Sequence, residues 1–298
     1  MTDFPNFLKI VNFKIMKLSN ILLEAKAILS KAKIEEPLRE SKLLICHALN
    51  SSIEIFLYDS KKEISLLVKK KIFKLISRRA NGEPFTYITN STSFYKYNFY
   101  INNKVLIPRP ETEELIEKVL NNIPNKNKKI NILDVATGSG VILASLLKEL
   151  PNSLGIGTDI SIDALKVAKI NLINLNIFNR SKLVNTNWSQ GIKNNIFDIV
   201  TCNPPYIDNK NIQNLPKEIK EFEPLLALKG GKNGLDSFKS LLPLVRNVMK
   251  INSLLALEIG FDQSKLLENI LYKNKFKLKN IIKDISGNKR IMIAISIK

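Results

Sequence analysis

Asn203-Pro204-Pro205-Tyr206 ends the apolar run FDIVTC at residues 197–202. Neither proline carries an N–H, so a sheet ladder cannot continue through them, and the run must stop in a rigid turn. The turn carries usable chemistry. Asn203 offers a side-chain carbonyl acceptor and an amide donor. The Pro204 carbonyl is a second acceptor whose direction the ring geometry fixes, and Tyr206 supplies a flat face. Two fixed acceptors beside an aromatic plate suit a planar NH2 group held for attack. An amide nitrogen is a poor nucleophile because its lone pair is delocalised into its carbonyl. Fixing both N–H bonds favours the pyramidal geometry that frees the lone pair, with positioning and desolvation supplying much of the acceleration. A flipped-out base amine could occupy the same turn.

A second constellation lies upstream. The chain has only 11 glycines, and two fall in DVATGSG, two more in LGIGTD. Glycine after a strand and before a helix permits a tight turn and close approach of backbone to a ligand, and the next helix presents free N–H groups. Asp159 follows the loop by about 20 residues, where a carboxylate accepts hydrogen bonds from ribose hydroxyls. The loop matches neither the dinucleotide spacing G-x-G-x-x-G nor a P-loop with its Lys-Ser/Thr. The pair therefore indicates a cofactor that contains a nucleoside.

These residues must be placed by a sheet. From about residue 130 the pattern alternates: the strand INILDV, the loop, the helix VILASLLKEL, the strand LGIGTDI, the helix SIDALKVAKINLINL, then FDIVTC, the helix DSFKSLLPLVRNVMK, SLLALEIG and a closing RIMIAISI. Such alternation predicts a mainly parallel α/β sheet covered on both faces. Ligands bind such sheets outside the carboxyl ends of the strands. That rule places Asn203–Tyr206 at the same edge as the Gly loop. Upstream, residues 17–80 read as helices: LSNILLEAKAILSKA, then EEPLRESKLLICHALN opening on Pro37, then KKEISLLVKKKIFKLISRRANG. In the third, Ile64, Leu67, Val68, Ile72, Leu75 and Ile76 are expected on one face, with Lys69–Lys71, Lys74, Arg78 and Arg79 as a basic, mainly solvated face. FTYITN and FYKYNFYINNKVLI predict a short hairpin with a turn signal at Asn102-Asn103. The expected organisation is an extension without structure over 1–16, a helical domain over 17–84, a β-hairpin linker over 85–107 and the sheet domain over 108–298.

Composition narrows the class. The 298 residues are 24% charged and 45% hydrophobic, an ordinary globular balance. No apolar run approaches the ~20 residues of a membrane helix. The first twenty residues lack a compact apolar core and a small-residue cleavage site, so no signal peptide is expected. The two cysteines, Cys46 and Cys202, are far apart in sequence, which predicts a reducing cytoplasm; with a single histidine they also give no zinc-ligand pattern. The net charge of +19 admits a nucleic-acid partner or plain compositional drift. The excess is mostly lysine, spread along the chain beside many Asn and Ile, and identifies no substrate.

DVATGSG, Asp159 and NPPY together resemble a class I S-adenosylmethionine-dependent methyltransferase of the amino-methylating kind. NPPY-type turns also occur in adenine-N6 DNA and guanine-N2 rRNA methyltransferases. RRANGEPFTYI, VLIPRPETEELIE, EFEPLLALKGGKNGLD, LALEIGFDQ and KDISGNKRIMIA are similar to the peptide chain release factor glutamine N5-methyltransferase family, also called HemK or PrmC. The likeness runs from about residue 17 to the C-terminus, with IPRPETE its more specific part. The resemblance implies a Rossmann-like class I sheet behind a small all-helical N-terminal domain. It implies S-adenosylmethionine on Ala136, Thr137, Gly138, Ser139, Gly140, Asp159, Trp188 and Asn203. It implies a glutamine held by Asn203, Pro204, Pro205 and Tyr206, with Asn203, Pro204 and Tyr206 carrying the reaction. The implied substrate is the Gly-Gly-Gln glutamine of class 1 release factors, met by a cytoplasmic monomer near the ribosome with no metal and no membrane. Nucleic acid or a glutamine of ribosomal protein L3 is the alternative acceptor. Trp188 is implied near the adenine, and Asp134 at the loop or, through water, the cofactor. Arg109, Glu111 and Glu113 lie in a segment the family packs near its active site. Two departures stand out: Ala136 where the first loop glycine is usual, with weaker cofactor binding as the expectation, and Lys220 where an Arg is common.

Overall fold

A computed structural model describes residues 16–298, so the extension expected over 1–16 lies outside the described residues except for Met16. Met16–Lys17 pairs antiparallel with Glu63–Ile64. The chain divides into two compact units between Thr89 and Asn90.

The first unit is helical. Leu18–Lys31 buries Leu18, Ile21, Ala25 and Leu29, one stripe at helical spacing. Pro37–Leu49 starts on Pro37, whose missing N–H costs nothing at a first-turn position, and ends on Asn50 in the left-handed region. Leu66–Ala80 is capped by Ser65, whose side chain accepts from the Val68 N–H. This start corrects the expected third helix. Ile64 belongs to the short strand, and Leu67 is 79% exposed while Ile72 and Ile76 are buried. Leu67 stands three, four and seven residues before Lys70, Lys71 and Lys74, so helical spacing puts it on their exposed face and off the stripe of Ile72, Leu75 and Ile76. The basic face is also less solvated than expected. The Arg79 guanidinium is buried against Glu40 at 2.5 Å, and Arg78 forms a two-pronged pair with Glu83 at 2.5 and 2.7 Å. Lys71 donates to the Ala48 carbonyl.

The second unit holds a seven-stranded sheet. Its strands are β1 (Asn131–Val135), β2 (Leu154–Asp159), β3 (Ser181–Asn185), β4 (Phe197–Cys202), β5 (Met249–Glu258), β6 (Phe276–Lys283) and β7 (Lys289–Ser296). Their spatial order is β3-β2-β1-β4-β5-β7-β6, with β7 antiparallel to both neighbours and the other pairs parallel. β3 and β6 were not expected; they are the two edge strands, each with one buried residue and the rest exposed or half-buried, so neither reads as a continuous apolar run. Leu133, Val135, Val200, Leu255 and Leu257 are fully buried beneath the helix Asp236–Val248, which contributes Phe238, Leu241, Leu242 and Val245. Removing one such Phe side chain costs about 3–5 kcal/mol. The order reverses between β1 and β4. Val135 pairs with Cys202, and Cys202 with Leu257, so the ends of β1, β4 and β5 stand side by side.

The hairpin departs from expectation in two ways. FTYITN is not a strand: Phe85–Thr89 is a short helix entered through Pro84, with Tyr87 and Ile88 buried. Packing of those two side chains overrides their β preference. The hairpin itself is Ser91–Phe94 with Tyr97–Tyr100, and it turns at Tyr95-Lys96. The Asn102 side chain instead accepts from the Lys104 N–H, a local turn after the hairpin. The hairpin belongs to the second unit. The Tyr100 N–H donates to the buried Asn171 side chain at 2.7 Å, and the Tyr97 hydroxyl donates to Glu149 at 2.9 Å.

Candidate active site

The loop after β1 is held by its own backbone and by two carboxylates. Thr137 N–H donates to the Thr158 carbonyl, and Gly140 N–H to the Thr137 carbonyl. Three of its residues lie in the left-handed region: Ala136 at φ 55°, Gly138 at 54° and Gly140 at 79°. The two glycines have different reasons. A Cβ on Gly140 would stand 3.1 Å from the Ala168 Cβ, so the following helix could not pack as it does. A Cβ on Gly138 would meet only the Ala136 carbonyl at 4.0 Å, so its left-handed φ and the open space before it are the constraint. Ala136 carries the strain of that region with a methyl group, a cost of about 1–2 kcal/mol. Asn171 Nδ2 steadies the loop from beneath by donating to the Ser139 carbonyl at 2.9 Å.

Asp134 is fully buried and accepts from the Thr137 hydroxyl at 2.5 Å and the Thr201 hydroxyl at 2.7 Å. Burial pushes its pKa up to about 6, against these hydroxyl bonds, which lower it. It orients the loop and does not line the cavity. Asp159 is placed differently. Its Oδ2 accepts from Gly138 N–H and its Oδ1 from Ser161 N–H, both at 2.9 Å. A carboxylate accepts about four hydrogen bonds, so each oxygen retains capacity toward a ligand. Burial raises its pKa, opposed by these backbone N–H groups.

A cavity of about 300 Å³ opens over the loop. Ala136, Thr137, Gly138, Ser139 and Asp159 form its floor; Ile160, Asn187 and Trp188 line one side, Leu106 and Asn203 another. Trp188 itself stands in the left-handed region at φ 53°, held by its indole N–H donating to the Ser240 hydroxyl at 3.1 Å. A bulky residue in that conformation marks a constrained site. Spare acceptor capacity on Asp159, open space before Gly138 and an aromatic wall fit a nucleoside joined to a flexible polar chain. Of the eight residues expected to hold the cofactor, all but Gly140 line this cavity; Gly140 acts through packing.

A second cavity of about 130 Å³ adjoins, lined by Asn203, Pro204 and Tyr206 with Leu106, Arg109 and Ile219. Asn203 borders both cavities, while Pro205 lines the larger one. The turn is clamped from behind. Ile207 N–H donates to the Leu228 carbonyl, and Gly230 N–H to the Ile207 carbonyl. Gln263 Nε2 donates to the Tyr206 carbonyl at 2.8 Å. A Cβ on Gly230 would lie 2.7 Å from the Tyr206 Cα, and one on Gly234 1.9 Å from its carbonyl oxygen.

Two carboxylates complete the second site. Glu258, at the end of β5 and 1% exposed, accepts from the Thr112 hydroxyl at 2.6 Å and the Tyr206 hydroxyl at 3.1 Å. Thr112 in turn accepts from Asn203 Nδ2 at 3.4 Å. Burial raises the pKa of Glu258 and, strongly, that of Tyr206. Arg109 Nη2 donates to the buried Glu223 at 2.6 Å, so its charge is compensated where it faces the cavity. Glu113 accepts from the Tyr95 N–H and ties the hairpin to the helix Pro110–Asn121. Lys220 donates to the Gln213 carbonyl. Sequence reading missed Thr112, Glu258, Gln263 and Glu223. A glutamate ending the otherwise apolar LLALE was the available signal, since a buried charge needs partners.

Known proteins resemble this chain along most of its length. Residues 20–89 match the PrmC N-terminal domain and residues 113–225 the Methyltransferase small domain. A release factor glutamine methyltransferase of Caulobacter vibrioides is 34% identical, the match covering 91% of this chain and 93% of that one. One of Clostridium acetobutylicum is also 34% identical, covering 94% and 99%. A bifunctional methyltransferase of Rickettsia typhi is 33% identical over 92% of this chain, which spans only 56% of its length. A crystallised methyltransferase of Pyrococcus furiosus shares the fold, with a TM-score of 0.50 at 14% identity over 69% of this chain and 92% of that one. The chain belongs to the release factor glutamine methyltransferase family.

Proposed function

We propose that this protein methylates the side-chain amide nitrogen, N5, of the glutamine in the Gly-Gly-Gln motif of class 1 peptide chain release factors. One observation carries the reading: Asn203 stands where a nucleoside-sized cavity meets a slot of about 130 Å³ that suits an amide side chain. S-adenosylmethionine supplies an electrophilic methyl group when it is bound. Asp159 would accept from its ribose, with Ile160 and Trp188 against its adenine and the Ala136–Ser139 backbone beneath. The Asn203 carbonyl and the Pro204 carbonyl would accept the two N–H bonds of the acceptor amide, and Tyr206 would wall the slot. Glu223 compensates Arg109, the cation that lines the slot, which leaves no free positive charge to favour a carboxylate over a neutral amide. The amide nitrogen would form one bond to the methyl carbon as the methyl–sulfur bond breaks and leaves its electron pair on sulfur, and it would give up one proton to solvent.

The helical unit is read as the part that recognises the release factor beyond its Gly-Gly-Gln loop, and the enzyme as a cytoplasmic monomer that meets its substrate near the ribosome. Buried, unpaired Cys46 and Cys202 support the reducing compartment. The test is methyl transfer from labelled S-adenosylmethionine to purified release factor, the same factor with that glutamine changed, ribosomal protein L3, rRNA and DNA. Label mapped to the glutamine amide and absent from the changed factor is the expected result. Label on L3 or nucleic acid alone would overturn the substrate assignment.

A further inference from the structure

We propose that Glu258, acting through Thr112, sets the direction of the Asn203 side-chain amide and so makes Asn203 a hydrogen-bond acceptor toward the substrate. The inference rests on the amide-acceptor reading of the turn and adds two positioning residues to it. The argument starts from a single hydrogen. A threonine hydroxyl has one to donate. The Thr112 hydroxyl donates to Glu258 Oε2 at 2.6 Å, as the Tyr206 hydroxyl does to Oε1, so both carboxyl oxygens act as acceptors and the threonine's one hydrogen is spent there. Toward Asn203 the same oxygen is left with lone pairs alone. The Asn203 group it meets, at 3.4 Å, must therefore be the NH2. The amide is planar, so its carbonyl oxygen is turned away from Thr112.

That orientation is the productive one. A substrate amide offers two N–H bonds, and a reversed Asn203 would set an NH2 against an NH2, leaving a donor unmet. Asparagine by itself does not choose between the two, because its ends are nearly equal in size. The same carboxylate takes the Tyr206 hydroxyl on its other oxygen, so both ends of the turn are referred to one buried group. The charged groups acting on Glu258 are the Glu111 carboxylate, which opposes its ionisation, and the Arg290 guanidinium, which favours it. Strand register delivers the arrangement. Cys202 pairs with Leu257, so the next residues along β4 and β5 are Asn203 and Glu258.

The experiment compares wild type with Thr112→Val and Thr112→Ser. Val keeps the shape and removes the hydroxyl; Ser restores it. Valine should lower kcat for release-factor methylation by about 10- to 100-fold, with the S-adenosylmethionine dissociation constant little changed and the melting temperature somewhat lowered, because one buried Glu258 oxygen loses its hydroxyl partner. Serine should recover activity to within about threefold. A valine variant as active as wild type, or a serine variant no better than valine, overturns the proposal. A second arm needs no substrate. The Asn203 side-chain NH2 signals, assigned by their loss in Asn203→Ala, should be shifted downfield and protected in wild type and Thr112→Ser, and should lose both properties in Thr112→Val. Signals indifferent to Thr112 overturn the orientation. If wild type transfers no methyl group to release factor, the functional reading fails, and the spectra still decide the orientation.

Discussion

The donor and acceptor halves of the active site are built at different ranges. The floor of the larger cavity is a local object. Asp134, Thr137, Gly138 and Asp159 are joined by hydrogen bonds within about two dozen residues of sequence, and the loop's backbone bonds reach no farther than Thr158, with Asn171 and Thr201 as supports from outside. The acceptor turn is defined from afar. Its partners Thr112, Gly230, Gly234, Glu258 and Gln263 come from separate segments, the farthest being 91 residues from Asn203. A local loop can tolerate a strained Ala136 because the strain is confined there. A turn held at many remote points tolerates little, since every support must arrive in register.

Five variants test that contrast. Asn203→Ala should lower kcat about 10²- to 10³-fold while cofactor binding survives, as when one preorganised polar group is lost; normal turnover with lost cofactor binding would reverse the assignment. Gly234→Ala should lower turnover almost as far and also the melting temperature. Its Cβ would overlap the Tyr206 carbonyl at 1.9 Å, and the residue sits at φ 66°. Unchanged kcat would show that the acceptor turn is less tightly clamped than the structure indicates. Asp159→Ala should raise the S-adenosylmethionine dissociation constant about 10- to 100-fold, the worth of one or two hydrogen bonds to a charged group, with kcat at saturation nearly intact. An unaltered constant in calorimetry would remove Asp159 from the cofactor site.

Asp134 gives the next effect, and its sign follows from its pKa. The folded chain holds that carboxyl's proton up to about pH 6, against an ordinary value of 3.8. The group therefore stabilises the fold below about pH 4, and that contribution is lost as pH rises through 6, roughly 2–3 kcal/mol in all. Asp134→Asn should flatten this part of the stability curve in urea titrations between pH 4 and 7. Parallel wild-type and variant curves would falsify the attribution. The smallest effect is expected of Ala136→Gly, at most about 1 kcal/mol of stabilisation. Relief of left-handed strain there is partly offset by the greater freedom of glycine in the unfolded chain. A lower melting temperature would mean that the Ala136 methyl contributes more packing than its strain costs.

The same contrast governs what could be read from sequence. The loop, Asp159 and the proline turn announce themselves because each needs particular residue types at fixed local spacing. The parallel strands β1, β2, β4 and β5 show as apolar runs because both faces are covered. β3 and β6 lack that cover and were passed over. FTYITN was misread because its aromatic and β-branched residues suit a strand, while Pro84 and the burial of Tyr87 and Ile88 make a helical turn. Leu67 was placed inside because periodicity was counted from Ile64, before the Ser65 cap begins the helix. Arg78 and Arg79 looked like a free basic face; only the fold reveals their pairing with Glu83 and Glu40.

Sequence alone determined the class of sheet, the two polar constellations and their placement at one edge, because turn chemistry and hydrophobic periodicity are short-range properties. The tertiary structure alone decided the strand order, the pairing of Val135 with Cys202 and of Cys202 with Leu257, and with them the meeting of Asn203, Thr112 and Glu258. The physical reason is register. Which residues become neighbours across a sheet depends on how all the strands and covering helices bury their apolar faces together, and no local stretch of chain contains that information.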